Sequence, residues 1–465
     1  MTAQHITGID RHVRSAQIEK AMLYGLLGLL LFGPLAFGAV EPWAIFALEM
    51  GSVVLFFLWI AKLVLDGEIF TARIKEGAIN IRPNPLFLPM AAFGALIATQ
   101  LIFRLTAYAH DTFSLALLYF AYALLCFLAN QVLLRGAQAR RLALILSTYG
   151  AALACFALVQ GISSNGKLYW LRQPRMGGWI YGPYVNHNHY AGLMEMLAPI
   201  PLLVSLGRIA PPKLRAAAGA AAAVMVGTIF LSGSRGGMLA ISAEFIIVAA
   251  LLVQQKRGFR SALAIALFLA FVVGLLAWIG GDDVMRRIAS VNPGHSDIAA
   301  DLRYSINRDG LRMFLKKPIL GWGLGTFPTV YPQFRSFYTN FFVNQAHDDY
   351  LQLLVETGAA GFAIMLWFLA TLYRRAFKKA ANWTSDISGA MTLACILGVS
   401  GILVHSAVDF NLQIPANAAL FFVICTAAAA EPLAKPARKQ RAVRSQPAQD
   451  IADSEAALRP YATNF

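Results

Sequence analysis

The sequence predicts an all-α polytopic membrane protein with about twelve transmembrane helices and a large, partly helical periplasmic loop. Two observations predict this fold. The 465-residue chain is 58% hydrophobic and only 14% charged, and its mean hydropathy is +0.58, which is too apolar for a soluble domain of this length. Its apolar runs are also long enough to cross a bilayer, and short segments rich in Lys and Arg separate them.

The apolar runs define the predicted spans. The run that starts at Ala21 lacks the small-residue cleavage site of a signal peptide. We therefore expect residues 1–20 to be a cytoplasmic N-terminus and residues 431–465 to be a disordered, basic cytoplasmic tail. Nine spans are predicted within residues 21–280 and three within residues 349–430. Their bounds are 21–37, 43–61, 86–103, 113–134, 142–161, 189–206, 216–232, 238–253, 261–280, 349–372, 389–408 and 415–430.

Basic residues set the predicted orientation of these spans. Lysines and arginines are concentrated in every second segment: Arg374 and Arg375 follow span ten, for example, while the short loops 38–42 and 409–414 contain no basic residue. The positive-inside rule then places the N-terminus in the cytoplasm. Topology and anionic lipid account for the net charge of +15, so the charge does not indicate binding to nucleic acid.

Two outer segments are long and keep basic residues. They comprise residues 162–188, between spans five and six, and residues 281–348, the large loop between spans nine and ten. Long loops cross the membrane largely regardless of charge, so their arginines indicate an acidic ligand on the outer face. Within the large loop, Asp301–Lys317 is predicted to form a short amphipathic helix that ends before Pro318. The apolar residues on one of its sides are Tyr304, Leu311, Phe314 and Leu315.

The cysteines and paired histidines do not indicate a metal site. The four cysteines lie within predicted spans and lack CxxC spacing, so packing explains them better than a disulfide framework or a thiolate site. His187 and His189 have a spacing that two metal ligands can adopt, but no third ligand lies near them in sequence. The aromatic residues between Trp179 and Tyr190 suit either an interfacial belt or sugar-stacking surfaces.

Three polar elements could carry chemistry at the outer face. Arg235, within the glycine-rich link Ser232–Gly237, either offers a fork of donors to phosphate oxygens or snorkels at a tight turn. Arg303 opens the amphipathic helix and stands apart from the solvated cations that follow it. His347 precedes a span at the boundary of water and lipid. It is either a proton-transfer group or a helix-start histidine bonded to the backbone.

Other polar residues near or within the spans are also candidates. Asp409 and Asn411, after span eleven, either orient another polar group or cap the helix. Glu49, Glu195 and Glu244 are candidate site residues because an ionisable group within a span is by default a functional hypothesis. The sequence assigns no role to these three carboxylates.

Three motifs, in this order along the chain, resemble those of the O-antigen ligase and polymerase superfamily. They are Ser234-Arg-Gly-Gly237, the run from Arg303 to Phe327 with its Gly-Trp-Gly-Leu-Gly turn, and the run from His347 to Gly358. The resemblance covers about residues 175–415. It implies a glycosyltransferase at the periplasmic face of a bacterial inner membrane, which moves glycan from undecaprenyl diphosphate to an acceptor hydroxyl in lipopolysaccharide or exopolysaccharide assembly.

The resemblance also implies roles for particular residues. Arg235 and Arg303 would hold the diphosphate, and His347 would face the acceptor. Arg175, which fits a looser pattern, joins the diphosphate-binding set. Many members have asparagine after the histidine, where this chain has Asp348. The residues expected to support the site are Ser234, Gly236, Arg308, Asp349, Tyr350 and Asn188.

These residue types suit the reaction that the resemblance implies. A diphosphate leaving group requires charge neutralisation more than protonation, and bidentate arginines supply that charge. We therefore expect neither a metal nor another cofactor. A histidine that accepts the proton of a sugar hydroxyl typically contributes about 10²–10⁴-fold to the rate. Because no enzyme nucleophile is evident, we expect direct, inverting attack on the anomeric carbon.

Several functions remain open at this stage. The sequence does not separate a ligase that uses lipid A core from a polymerase of glycan repeats, or either from a protein O-oligosaccharyltransferase. A transporter or flippase for lipid-linked glycan would have broken spans near mid-membrane and repeated halves, whereas the polar elements here gather at one face. A non-catalytic assembly subunit would tolerate the loss of His347.

Overall fold

The computed structural model describes residues 3–65, 82–133, 136–174, 179–254, 300–339 and 342–431. Regular structure in these ranges is helical, apart from two isolated β-bridges that join Leu168 to Arg172 and Tyr181 to Tyr184. Short 3-10 turns occur at Phe37–Ala39, Tyr331–Gln333 and Asn411–Gln413. The α-helices are α1 (Ala3–Leu35), α2 (Pro42–Leu65), α3 (Phe87–Ile102), α4 (Ala109–Val132), α5 (Gly136–Ile162), α6 (His187–Leu197), α7 (Pro199–Leu206), α8 (Pro212–Leu231), α9 (Arg235–Gln254), α10 (Ala300–Lys316), α11 (Phe327–Val330), α12 (Asp349–Ala380), α13 (Ile387–His405) and α14 (Pro415–Ala429).

Most of the predicted spans correspond to helices of the described ranges. Nine helical segments there are long and apolar enough to cross a membrane, which confirms the prediction of a multi-pass membrane protein. The shorter apolar helices α3 and α14 match two further predicted spans. The span predicted at residues 261–280 lies outside the described residues. The total of twelve spans therefore stays a prediction.

Two helices differ in extent from the predicted spans. Helix α1 begins at Ala3, within the predicted polar N-terminus, although its candidate span starts at Val13. The predicted span 189–206 is divided into α6 and α7 because Pro199 cannot donate a backbone hydrogen bond. The linking residue Ala198 keeps helical dihedral angles (φ −59, ψ −35), so the two helices continue each other across one span, His187–Leu206.

Helix α13 and the α6–α7 span occupy the centre of the bundle. In their most apolar stretches, 72% of the residues of α13 and 78% of those of the α6–α7 span are buried. The corresponding share for α2, at the periphery, is 22%. Small residues allow the central helices to approach closely. A Cβ atom at Gly398 of α13 would lie 2.9 Å from the Cα atom of Met196 in α6. The central position of these two helices is what brings their polar ends together at the site.

The described part of the large loop has a hydrophobic core of its own. The helix predicted at Asp301–Lys317 is present as α10, and its residues Ile306 and Met313 are buried against Phe327, Tyr331 and Val355. The apolar side that the sequence predicted is not the side that packs against the loop core. Three of its four residues point outward, because the face that packs is the one centred on Met313. The outward residues are Tyr304, Leu311 and Leu315.

Three of the four cysteines are buried, as a packing role predicts. Cys126, Cys395 and Cys425 are buried within helices, whereas Cys155 is exposed. All four are free thiols.

Candidate active site

The candidate site is organised around residues 405–410, which connect the end of α13 to the 3-10 turn at Asn411. We call these residues the 405–410 segment. Four parts of the chain contact it: the start of α6, the start of α9, the start of α10 and the residues just before α12. Helices α9 and α12 begin, and α13 ends, at this end of the bundle, which we call the site end.

His347 lies at the entrance to α12 and faces the 405–410 segment. Its Nδ1 atom is 3.8 Å from Oδ1 of Asp409, and its ring packs edge-on against Phe410 with centroids 4.7 Å apart. The backbone of His347 has a φ angle of 56°, a left-handed conformation that is uncommon for a residue with a side chain and is often found at functional sites. The side chain remains 11% exposed.

Asp348 begins α12 as its N-cap. Its carboxylate accepts hydrogen bonds from the backbone N–H groups of Tyr350 and Leu351, both at 3.0 Å. Aspartate and asparagine are almost equally good at this position. The departure from the asparagine that the family resemblance implies therefore leaves the helix start intact. Burial raises the pKa of the Asp348 carboxyl, and the two backbone hydrogen bonds oppose that shift.

Asp409 is the most strongly held carboxylate of the site. Asn188 donates a hydrogen bond of 2.6 Å to its Oδ2 atom, the backbone N–H of Phe410 donates one of 2.8 Å to Oδ1, and the Nε2 atom of His189 lies 4.0 Å away. Burial acts to raise the pKa of Asp409, but nearby histidines and Arg303 outweigh it and hold that pKa well below its usual range. Asp409 is therefore an anion at neutral pH.

Phe410 separates the two histidines that approach Asp409. The rings of His189 and His347 each meet the Phe410 ring at a centroid distance of 4.7 Å and a steep angle. His187, the other histidine of the pair, instead packs against Trp179, with ring centroids 4.6 Å apart and ring planes tilted by 33°. The i, i+2 pair thus has two different environments, and its members do not share one ligand position.

The start of α9 packs directly against the end of α13. Ser234 caps α9 by accepting a 3.1 Å hydrogen bond from the backbone N–H of Gly237. A Cβ atom at Gly236 would lie 2.3 Å from Cδ2 of His405, so only glycine allows this approach. Arg235 is the first residue of α9 and is exposed. A Cβ atom at Gly233, two residues before Arg235, would lie 3.6 Å from the ring of Trp179.

Arg303 joins the same segment from α10. Its Nη1 atom donates a 3.1 Å hydrogen bond to the carbonyl of Val408, the residue next to Asp409. The Nε–H group of Arg303 is buried and has no hydrogen-bond partner among the described residues. Arg308 is oriented elsewhere, since it donates to Ser336 of the loop at 2.8 Å. Of Arg303 and Arg308, it is Arg303 that contacts the 405–410 segment.

The polar face of the first turns of α12 is the buried one. Asp349 accepts hydrogen bonds from the Ser406 hydroxyl at 2.8 Å and from the Leu412 backbone at 3.1 Å, and so ties α12 to the 405–410 segment. Tyr350, whose hydroxyl donates to the Leu403 carbonyl at 2.6 Å, also contacts α13. Both residues fix the position of the helix that follows His347.

Glu356, in the motif that starts at His347, joins this motif to the glycine-rich turn of the motif that starts at Arg303. Its carboxylate accepts hydrogen bonds from the backbone N–H groups of Gly325 and Phe327, at 2.9 and 3.3 Å. A Cβ atom at Gly358 would lie 2.2 Å from the carbonyl oxygen of Ile319, and Gly358 has a φ angle of 67°. The glycine-rich turn therefore packs on α12 and supports the loop. Its hydrogen bonds to Glu356 are made away from the 405–410 segment.

Two buried ionisable side chains that contact each other beneath the site were not recognisable from the sequence as a pair. His405 Nδ1 lies 3.1 Å from a carboxylate oxygen of Glu195, and both side chains are fully buried. Glu244 is also buried, and its oxygens have no hydrogen-bond partner within the described ranges. The only sequence signal for these residues was the presence of ionisable groups within spans. Glu49 is half-buried in α2.

The structure thus assembles part of the predicted site. His347, Arg303, Asn188, Gly236 and Asp349 all contact the 405–410 segment. Arg175 lies outside the described residues. Within the described ranges, no group of three or more His, Cys, Asp or Glu side chains could hold a metal ion. The catalytic and binding roles of these residues stay predictions.

Comparison with known proteins bears on the family. A search of the curated proteins found no match to this chain. Residues 220–366 match the family model Wzy_C, described as O-antigen ligase. The matched range runs from α8 to the middle of α12, and it includes Arg235, Arg303 and His347. Over these residues, about a third of the chain, the protein is similar to the O-antigen ligase family, which supports the resemblance that its three motifs indicate.

Proposed function

We propose that this protein is a membrane glycosyltransferase that moves a glycan from undecaprenyl diphosphate to a sugar hydroxyl of an acceptor. The observation that carries the proposal is the meeting of His347, Arg303 and the start of α9 at the 405–410 segment. The family match supports the same class of reaction. A reaction of this kind requires a cationic site for the diphosphate beside a base for the acceptor.

Arg303 and the start of α9 are the proposed diphosphate site. The buried Nε–H donor of Arg303 has no partner among the described residues and is available to an anionic oxygen. The positive end of the α9 helix dipole, together with the exposed guanidinium of Arg235, suits a phosphate. Fixed cations neutralise the leaving diphosphate without a metal ion, so we propose a metal-independent reaction.

His347 is the proposed general base, and Asp409 is its orienting partner. With Nδ1 directed at the anionic Asp409, the remaining nitrogen, Nε2, is the one that accepts a proton. The acceptor hydroxyl oxygen attacks the anomeric carbon and its proton passes to Nε2. The bond from the anomeric carbon to the diphosphate oxygen breaks on the opposite face, and the leaving diphosphate keeps the electron pair. This single displacement inverts the anomeric configuration.

The proposed location is the bacterial inner membrane, with the site facing the periplasm, as the distribution of basic residues predicts. The acceptor then belongs to lipopolysaccharide or exopolysaccharide assembly. A ligase uses lipid A core as acceptor, and a polymerase uses a second carrier-linked glycan. The same residues serve both reactions, so the acceptor must be identified by experiment.

The test is a transfer assay with the full-length protein in nanodiscs. The donor is a radiolabelled oligosaccharide on undecaprenyl diphosphate, and the acceptors, offered separately, are lipid A core and unlabelled carrier-linked glycan. We expect labelled product with one acceptor and a loss of at least about 10²-fold for His347→Ala. Arg303→Lys, which keeps the charge but loses the planar fork, should raise the donor concentration required.

Arg335→Ala is the matched control, because Arg335 is an exposed arginine of the same loop and no role is proposed for it. It should transfer at the wild-type rate. Transfer that survives both His347→Ala and Arg235→Ala would contradict the proposed mechanism. Trapping of a glycosyl-enzyme intermediate would contradict direct displacement.

A further inference from the structure

Helix α10 carries an apolar stripe on the face opposite its core. Tyr304, Leu311 and Leu315 are 70%, 49% and 65% exposed, while Ile306 and Met313 are buried. Spacings of seven and four residues place the three exposed side chains in one row along the helix. Large apolar residues in such a row indicate a contact surface. The helix is therefore apolar on two sides, and the loop core covers one of them.

Contacts along α10 place it across the ends of the spans. At its start, Arg303 donates to Val408, three residues after the end of α13. In its middle, a Cβ atom at Gly310 would lie 3.0 Å from the side chain of Leu351, in the first turn of α12. Just past its end, Lys317 donates a 3.3 Å hydrogen bond to the carbonyl of Leu105, three residues after α3.

A helix held in this way runs along the bundle end. Its 17 residues correspond to about 25 Å, and each of the three contacts is to the end of a different span. Since spans end where the hydrocarbon ends, α10 lies at the height of the lipid headgroups and does not project into water. Its outward stripe is then at the level of the surrounding leaflet.

The exposed charges of α10 are complementary to an anionic leaflet. Arg308, Arg312 and Lys316 form a row at four-residue spacing beside the apolar stripe, and all three are exposed. The acidic residue between them, Asp309, is fully buried and accepts hydrogen bonds from Ser336. It also accepts one of 3.4 Å from Arg312, whose side chain remains 56% exposed. A row of cations bordering an apolar stripe is the pattern of helices that lie in the interface of anionic membranes.

We propose that α10 is an interfacial helix that binds the leaflet at the site end of the bundle. Tyr304, Leu311 and Leu315 enter the boundary between headgroups and acyl chains, and the cationic row binds the phosphates of anionic lipids. The consequence for the site is positional: Arg303, on the same helix, is held at the depth of lipid phosphates. This lipid binding does not depend on the proposed transferase reaction, and its test uses no substrate.

The first experiment measures the depth of the stripe. Cys155→Ser removes the exposed cysteine, and Leu311→Cys or Leu315→Cys is then labelled with an environment-sensitive fluorophore in the full-length protein. Each variant is placed one copy per nanodisc, in discs of phosphatidylglycerol and phosphatidylcholine. A lipid carrying a nitroxide just below its headgroup, and iodide in the water, are used as separate quenchers. Leu366→Cys, exposed on α12 within its span, is the control for a lipid-facing position.

We expect the labels at positions 311 and 315 to be quenched strongly by the nitroxide lipid and weakly by iodide, as at position 366. Strong iodide quenching without nitroxide quenching would show that the stripe faces water, and it would overturn the proposal. Shielding from both quenchers in discs with two copies, with iodide quenching in discs with one, would assign the stripe to a second copy of the chain and would also overturn it.

The second experiment tests the lipid headgroup. In discs without phosphatidylglycerol, nitroxide quenching at position 311 should fall at least about twofold, since each basic residue contributes to attraction by an anionic surface. Arg308→Gln with Arg312→Gln and Lys316→Gln should remove the difference between the two kinds of disc. Inorganic phosphate added to phosphatidylcholine discs should have no effect. Recovery of quenching with phosphate alone would assign the row to a free anion and would contradict lipid binding.

Discussion

His347 directs its Nδ1 atom at Oδ1 of Asp409 across 3.8 Å, a contact between the residues that precede α12 and those that follow α13. Asp409 is fixed there by Asn188 and by the backbone of Phe410. The distance is longer than a hydrogen bond, and catalytic hydrogen bonds often shorten only when substrate binds. The pair therefore has the orientation that a histidine base requires, before the acceptor arrives.

The first prediction concerns the coupling of these two residues. Asp409→Asn should lower the transfer rate substantially, because an amide neither stabilises the imidazolium nor fixes its tautomer. Residues that act as a unit are strongly non-additive. The double variant His347→Ala, Asp409→Asn should therefore be no slower than His347→Ala alone. Rates of the two single variants and the double variant measure this. Effects that multiply would show that Asp409 acts independently of His347.

The second prediction concerns acid stability. Because the pKa of Asp409 is lowered in the folded protein, its carboxylate contributes stability above its ordinary pKa of about 4. That contribution is lost as the pH falls towards the lowered value. The stability of wild type relative to Asp409→Asn should thus decrease as the pH falls below about 4. Thermal melting of both proteins in detergent between about pH 5 and 2 measures it. A difference that grows as the pH falls through this range would contradict the assignment.

The third prediction concerns the approach of α9 to α13. In Gly236→Ala, the new methyl group would lie 2.3 Å from Cδ2 and 2.5 Å from Nε2 of His405, so one of the two helix ends must shift. We expect the affinity for the diphosphate donor to fall, because Arg235 moves with the start of α9. Gly227→Ala in α8 is the matched control, since nothing lies within 4 Å of its Cβ position. Donor titrations of the two variants should differ, and equal affinities would contradict a tight contact at Gly236.

The helices were predictable because span length is a local property of the sequence. An apolar run as long as a bilayer is thick can be recognised from its own residues alone. The described helices follow those runs closely. The amphipathic helix at α10 was also predicted, but its packing face was not. Both of its faces contain apolar residues, and only the position of the loop core, around Met313 and Phe327, decides which face is buried.

The composition of the site was predictable in part. Arg303 and His347 belong to motifs that the sequence displays, whereas the role of Asp409 depends on three segments meeting in space. The left-handed backbone of His347 has no local signal, since neither it nor Ala346 is a glycine. The pairing of His405 with Glu195 joins two spans that are distant in sequence. Only the packing of α6 against α13 creates it.

The fourth prediction concerns the cap of α12. Asp348→Asn should preserve the hydrogen bonds to Tyr350 and Leu351 and leave stability unchanged or slightly raised at neutral pH. The sign follows from the raised pKa of Asp348: a carboxyl with a raised pKa loses stability as the pH rises through that value, and asparagine avoids this loss. Asp348→Ala removes the cap and should cost about 1 kcal/mol. Melting temperatures at neutral pH compare the two. An asparagine variant as unstable as the alanine variant would show that the negative charge, and not the cap, matters.

The fifth prediction concerns the buried pair beneath the site. Glu195→Leu leaves Nδ1 of His405 without its partner in a fully buried position. Leaving a buried polar group without its hydrogen-bond partner costs about 1–3 kcal/mol, so the variant should melt at a clearly lower temperature than wild type. Glu49→Leu is the matched control, because Glu49 is a half-buried glutamate of a peripheral helix, and its melting temperature should be unchanged or raised. Equal melting temperatures for the two variants would mean that His405 does not depend on Glu195. Restoration of stability by the double variant Glu195→Leu, His405→Leu would locate the cost in the unpaired imidazole.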